Sequence, residues 1–173
     1  MMAVLMFLLS AIASPAPSST AGTDLVAPAV LEKLLPSPEG WTRGVVRAMQ
    51  TEITQECSYS SASISFTKDE MKVKLTLADT GAHQESLLAL AMMVMTLPDN
   101  YTDDVPPATT VKRLKMDGSP AAELWDAQKL SGEITVVVGG RFVASVETAK
   151  VDSLDTLRAI LASVNLKALA AAK

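Results

Sequence analysis

Ser61-Ala62-Ser63-Ile64-Ser65-Phe66 and, past Thr67 to Glu70, Met71-Lys72-Val73-Lys74-Leu75-Thr76-Leu77 set the architecture. In both runs every second residue is apolar and the residues between are Ser, Lys or Thr. Side chains of a strand alternate between its two faces, so this period predicts two half-buried strands. Lys68-Asp69-Glu70 is short and polar enough to join them as a hairpin. One face of that hairpin is apolar and must be covered. The Ser/Lys/Thr face is left to solvent or to a partner.

The same period extends along the chain. Val45 to Ile53 is a weaker strand. Val111 to Met116, the turn Asp117-Gly118 and Ala121 to Asp126 read as a second hairpin. Ile134, Val136 and Val138 lead through Gly139-Gly140 to Phe142, Ala144 and Val146. A Gly-Gly pair between alternating runs predicts a two-residue hairpin, because both turn positions take positive φ. Two segments read as helices. Glu85 to Leu97 is almost wholly apolar, rich in Leu, Ala and Met, and ended by Pro98. Leu154, Leu157, Ile160, Leu161 and Val164 recur at helical spacing behind an N-cap at Asp152 or Ser153, and Asn165 to Lys173 reads as an Ala-rich extension.

These elements predict an α+β fold: an antiparallel sheet of about six to seven strands, in the order β-β-β-α-β-β-β-β-α, with two helices packed on one face. No βαβ alternation calls for a parallel sheet. Residues 41–173 are expected to form the single domain. Residues 22–40 form a flexible or partly helical arm, with Pro28 inside it and a turn cluster at Pro36-Ser37-Pro38-Glu39-Gly40.

Residues 1–21 read as an export segment. Ala3 to Ala13 is apolar apart from Ser10. As a helix it would rise about 16 Å, short of a bilayer core of about 30 Å, so it suits a signal-peptide core and not a span. Ala11-Ile12-Ala13 and Ser19-Thr20-Ala21 offer small residues for cleavage. The expectation is a periplasmic or secreted protein with no stable membrane span after signal cleavage.

The 173 residues carry 15 Lys and Arg against 19 Asp and Glu, well mixed, for a net charge of −4. No basic footprint for nucleic acid stands out. A single cysteine and a single histidine leave no multi-cysteine or zinc-type centre, and no metal or cofactor is expected. Cys57 follows Glu56, which would raise a thiol pKa and disfavours a nucleophile. His83, the methionines of the apolar helix and the acidic loop Asp99, Asp103, Asp104 read as ordinary packing or solvated residues.

One motif carries chemistry. Asp79-Thr80-Gly81-Ala82 resembles the catalytic turn of retropepsin-type aspartic proteases, and Val136 to Arg141 is similar to a later apolar-apolar-Gly-Arg segment of that family. The resemblance implies a dimeric aspartic hydrolase in which two copies of Asp79 share a proton and activate water. The flanking elements differ from the family's: a helix is expected after the motif, and a strand after the Gly-Arg segment. The plainer reading is that Asp79 or Thr80 caps that helix.

Without a fuller catalytic constellation, the leading expectation is a non-enzymatic exported domain that binds a protein partner or an apolar ligand. The far side of the apolar helix, at Leu90, Met93 and Leu97, is the expected contact, and a homodimer is one way of covering it.

Overall fold

The computed structural model describes residues 25–54, 57–81, 109–151 and 153–173. Its centre is one antiparallel sheet of eight strands. In chain order these are β1 (Thr42–Arg43), β2 (Arg47–Thr54), β3 (Cys57–Lys68), β4 (Met71–Asp79), β5 (Thr109–Met116), β6 (Ser119–Asp126), β7 (Ser131–Val138) and β8 (Phe142–Thr148). The described residues also form three short helices: α1 (Pro28–Lys33), α2 (Leu154–Ala162) and α3 (Leu166–Ala170).

The strands lie in the order β1-β3-β4-β8-β7-β6-β5, and β2 also pairs with β3. β1 and β2 run end to end along the same strand. They are separated where Gly44 donates its N–H to the Ser65 carbonyl at 2.8 Å. A Cβ on Gly44 would lie 2.8 Å from that oxygen, so only glycine permits the approach. This interruption makes the strand count eight where six or seven were expected.

Hairpins build each half as the alternation predicts. β3 pairs β4 with Ile64 opposite Leu75 and Phe66 opposite Val73. β5 and β6 turn through Asp117 and Gly118, both at positive φ. The turn between β7 and β8 differs from the two-residue form expected. Val138 pairs with Phe142, and the loop is Gly139-Gly140-Arg141. The extra residue frees Arg141 from the ladder, and its side chain is used elsewhere. β4 then pairs with β8, Leu75 opposite Val146, which joins the two halves into one sheet.

One face holds the core. Ala62, Ile64, Phe66, Val73, Leu75, Leu77, Ile134, Val136, Val138, Phe142, Ala144 and Val146 are all buried. Each large side chain removed from water contributes roughly 1.5–3 kcal/mol. Among the described residues three short helices cover this face, and the expected C-terminal helix is α2. Ser153 caps α2 by accepting the Asp155 N–H at 3.2 Å, and Leu157, Ile160 and Leu161 point into the core. The chain does not run on as one helix. It breaks after Ala162, and Asn165 Oδ1 starts α3 by accepting the Ala168 N–H at 2.9 Å. Pro28 does not interrupt α1 but opens it, at a position where its missing N–H costs nothing. Val26, Leu31 and Leu35 belong to the core, so the domain takes in residues N-terminal to Trp41. The apolar segment Glu85 to Leu97 lies outside the described residues.

Candidate functional site

Among the described residues, the face of the sheet turned away from the helices is an open trough. The sheet curls so far that Arg47 of β2 and Leu124 of β6 line the same hollow. Its two lobes, about 940 and 640 Å³, share Arg47, Ser63, Lys74, Leu124 and Glu133. Binding clefts for small molecules fall in the range of about 300–1,000 Å³.

The strand registers sort the trough lining into three rows that cross the strands. The middle row is Arg47, Ser63, Thr76, Ser145 and Thr135, on β2, β3, β4, β8 and β7 in turn. Four hydroxyls on adjacent strands therefore span about 14 Å at the usual strand spacing. The row on one side is Met49, Ser61, Ala78 and Val143, mostly apolar. The row on the other is Ser65, Lys74, Glu147, Glu133 and Leu124, mostly charged. The trough thus grades from apolar through hydroxylated to charged along the strand direction.

Small side chains make the hollow. On the core side of β3 and β4 stand Ile64, Phe66, Leu75 and Leu77. On the trough side stand Ser61, Ser63, Ser65, Thr76 and Ala78. In the charged row, Lys74 Nζ lies 2.8 Å from Glu147 Oε1, with both side chains about half exposed. Glu133 stands directly opposite Glu147 and accepts a hydrogen bond from the Thr135 hydroxyl at 2.9 Å. The Arg47 side chain makes no hydrogen bond or ion pair to the described residues.

Asp79 lies on the other face, at the end of β4, and is completely buried. Its Oδ1 accepts from Arg141 Nε at 2.7 Å and from the Gly81 N–H at 2.9 Å. Its Oδ2 accepts from Arg141 Nη2 at 2.7 Å and from the Val26 N–H at 2.7 Å. Ser60 Oγ donates to the Val26 carbonyl at 2.6 Å, which ties the chain before α1 to the same point. Burial by itself would raise the Asp79 pKa. The bonds from Arg141, Val26 and Gly81, with the guanidinium charge, outweigh burial and hold it below its ordinary value. Both oxygens are thus committed to donors, whereas an aspartic dyad needs a carboxylate that meets its mate and shares a proton. What this arrangement does chemically is anchor the start of the described chain to the β4–β8 sheet end. Leu90, Met93 and Leu97, the other residues expected at a contact, lie outside the described residues, as do His83 and the acidic loop.

Sequence reasoning missed a second buried carboxylate. Glu123 of β6 is 1% exposed and faces the helices. Arg158 of α2 grips it with two bonds, Nε to Oε1 at 2.6 Å and Nη2 to Oε2 at 2.7 Å, and reaches Asp155 at 2.6 Å. The Glu123 bond leads the causes that raise the Arg158 pKa further above its already high value. The signal was an acidic residue at a core-facing position in Ala121-Ala122-Glu123-Leu124-Trp125. Among the described residues no group of three or more His, Cys, Asp or Glu is placed to hold a metal ion. Nor is any described helix long and apolar enough to cross a membrane.

Fold and site together define a class: an antiparallel sheet with one face packed by helices and the other an amphipathic trough. No protein-family model, curated protein or solved structure matches the chain.

Proposed function

We propose that the protein is an exported, non-enzymatic binding domain whose trough holds an amphipathic small-molecule ligand. The observation that carries the reading is the three-row lining. An apolar part of the ligand lies along Met49, Ala78 and Val143. Its polar groups meet the hydroxyls of Ser63, Thr76, Ser145 and Thr135, and a charged end faces the Lys74, Glu147 and Glu133 row. Such a site combines apolar contact area with a few placed polar groups that orient the ligand. Export rests on residues 1–21 and places the function in the periplasm or outside the cell. The hydrolase alternative rests on the Asp79-Thr80-Gly81 turn and the Val136 to Arg141 segment, and the Asp79 carboxylate is taken up by Arg141.

Anilinonaphthalene sulfonate, an amphipathic fluorescent anion, is the probe. The full chain should bind it saturably. Ser145→Leu, which fills the centre of the trough, should weaken that binding at least tenfold while leaving the urea midpoint nearly unchanged. Absence of saturable binding, or equal binding by the filled variant, would remove the trough as the site. Mass spectrometry of the protein from its host tests export. The first residue of the mature chain should fall between Ser14 and Gly22, and a mature species that retains Met1 would defeat the claim.

A further inference from the structure

The charges that line the trough are not equally committed. Among the described residues they are Arg47, Lys72, Lys74, Asp126, Glu133 and Glu147. Every carboxylate of this set already accepts a hydrogen bond from the protein. Glu147 accepts from Lys74 at 2.8 Å, and Glu133 from the Thr135 hydroxyl at 2.9 Å. Asp126 accepts from the N–H groups of Gln128 and Lys129, each at 3.0 Å. Of the cations, Lys74 is taken up by Glu147, and Lys72 lines only the larger lobe. Arg47 lines both lobes, and the five N–H donors of its guanidinium meet no acceptor among the described residues.

The surroundings of Arg47 suit an anion with an apolar tail. Ser63 stands directly opposite it, and Thr76 lies next in the same row. Among the described residues nothing accepts from either hydroxyl. A guanidinium presents two parallel N–H groups that match a carboxylate, and a neighbouring hydroxyl adds a third donor. Along the strands to one side the lining turns apolar at Met49, Ala78 and Val143, and then reaches Tyr59, which pairs with Thr51. From Arg47 to Thr51 the strand rises about 13 Å. To the other side Glu147 and Glu133 stand directly opposite one another. A second negative charge on the ligand would face this pair and be repelled.

We infer that the trough selects an amphipathic monocarboxylate, with Arg47 and Ser63 holding the carboxylate and Met49, Ala78, Val143 and Tyr59 holding a short alkyl or aryl tail. The inference rests on the trough reading above and adds the sign, number and place of the ligand's charge. Arg47 sets the preference for an anion. Glu133 and Glu147 set the limit of one.

Calorimetric titration of the full chain with octanoate, octanol, octylammonium and suberate tests it, since all four share an eight-carbon chain and differ in charge. Octanoate should bind saturably and at least tenfold more tightly than each of the others. Arg47→Gln, which removes the charge and the fork, should weaken octanoate at least tenfold and change octanol less than twofold. Its urea midpoint should match the wild type, because the Arg47 side chain is bonded to nothing described. Octanoate that fails to bind, binds no more tightly than octanol, octylammonium or suberate, or is untouched by Arg47→Gln would overturn the inference. If anilinonaphthalene sulfonate still binds and Ser145→Leu still weakens it, the trough reading stands without the carboxylate. If neither it nor any of the four binds saturably, both readings fall.

Discussion

Asp79→Asn exchanges one carboxylate oxygen for an NH2 group and tests a buried carboxylate that accepts four hydrogen bonds. Each carboxylate oxygen accepts two hydrogen bonds, one from Arg141 and one from a backbone N–H. In asparagine one of the two becomes an NH2 group, a donor set against two donors. Two bonds are lost whichever way the amide is turned, the ion pair is neutralised, and the N–H of Val26 or Gly81 is left without its acceptor. Hydrogen bonds to charged groups contribute about 1.5–3 kcal/mol, and breaking a buried ion pair costs about 3–5 kcal/mol. We expect a loss of about 3–4 kcal/mol, because the Arg141 side chain is 31% exposed and recovers some solvation. With a urea dependence of about 2 kcal/mol per molar, the unfolding midpoint should fall by about 1.5–2 M. The pH dependence has a definite sign. The folded-state pKa of Asp79 is depressed. Its stabilisation is therefore fully present above the unfolded pKa of about 3.9 and is lost as pH falls through the folded value. The gap between wild type and variant should be constant from about pH 5 to 8 and shrink in acid below pH 4. A difference under about 0.5 kcal/mol at neutral pH, or a gap that does not narrow in acid, would refute the anchoring role.

Two further predictions concern the helix side of the sheet. Arg158→Ala strips Glu123 of its partner and should destabilise by about 3 kcal/mol, whereas the double variant Arg158→Leu with Glu123→Leu should recover most of the loss. Denaturant titrations of the single and double variants measure the coupling. Gly132→Ala would set a Cβ 2.7 Å from Leu154 Cδ2 and 2.9 Å from Trp125 Cε3. Overpacking of this kind costs about 1–3 kcal/mol, and a thermal melt of the variant should show a lower midpoint.

Much of the fold was legible because a period of two names a face. Ser61 to Leu77 defined which residues of β3 and β4 turn inward, and each came out on the expected side. The Asp117-Gly118 turn and the Ser153 cap were legible for local reasons, since turn and cap chemistry act within a few residues. Val111 to Met116 and Phe142 to Val146 fell into strands for the same cause.

Period two does not name a neighbour. That β4 lies beside β8, with Val73 opposite Thr148, was decided by contacts distant in sequence. The Asp79 anchor joins residues 62 apart and the Glu123–Arg158 grip joins residues 35 apart, and no local pattern records either distance. Asp79 was read from its local turn, and Arg141 from the Gly-Arg segment after β7, but nothing in either stretch paired the two side chains. Residues 25–35, part of the segment 22–40 read as a flexible or partly helical arm, are drawn into the core because Leu31 and Val26 find covered apolar surface there. By itself the sequence determined that Ser63, Thr76, Thr135 and Ser145 share the wet face of their strands. Only the tertiary structure aligned them into one row, because a row across a sheet is a matter of register, and register is set by the strand lying alongside.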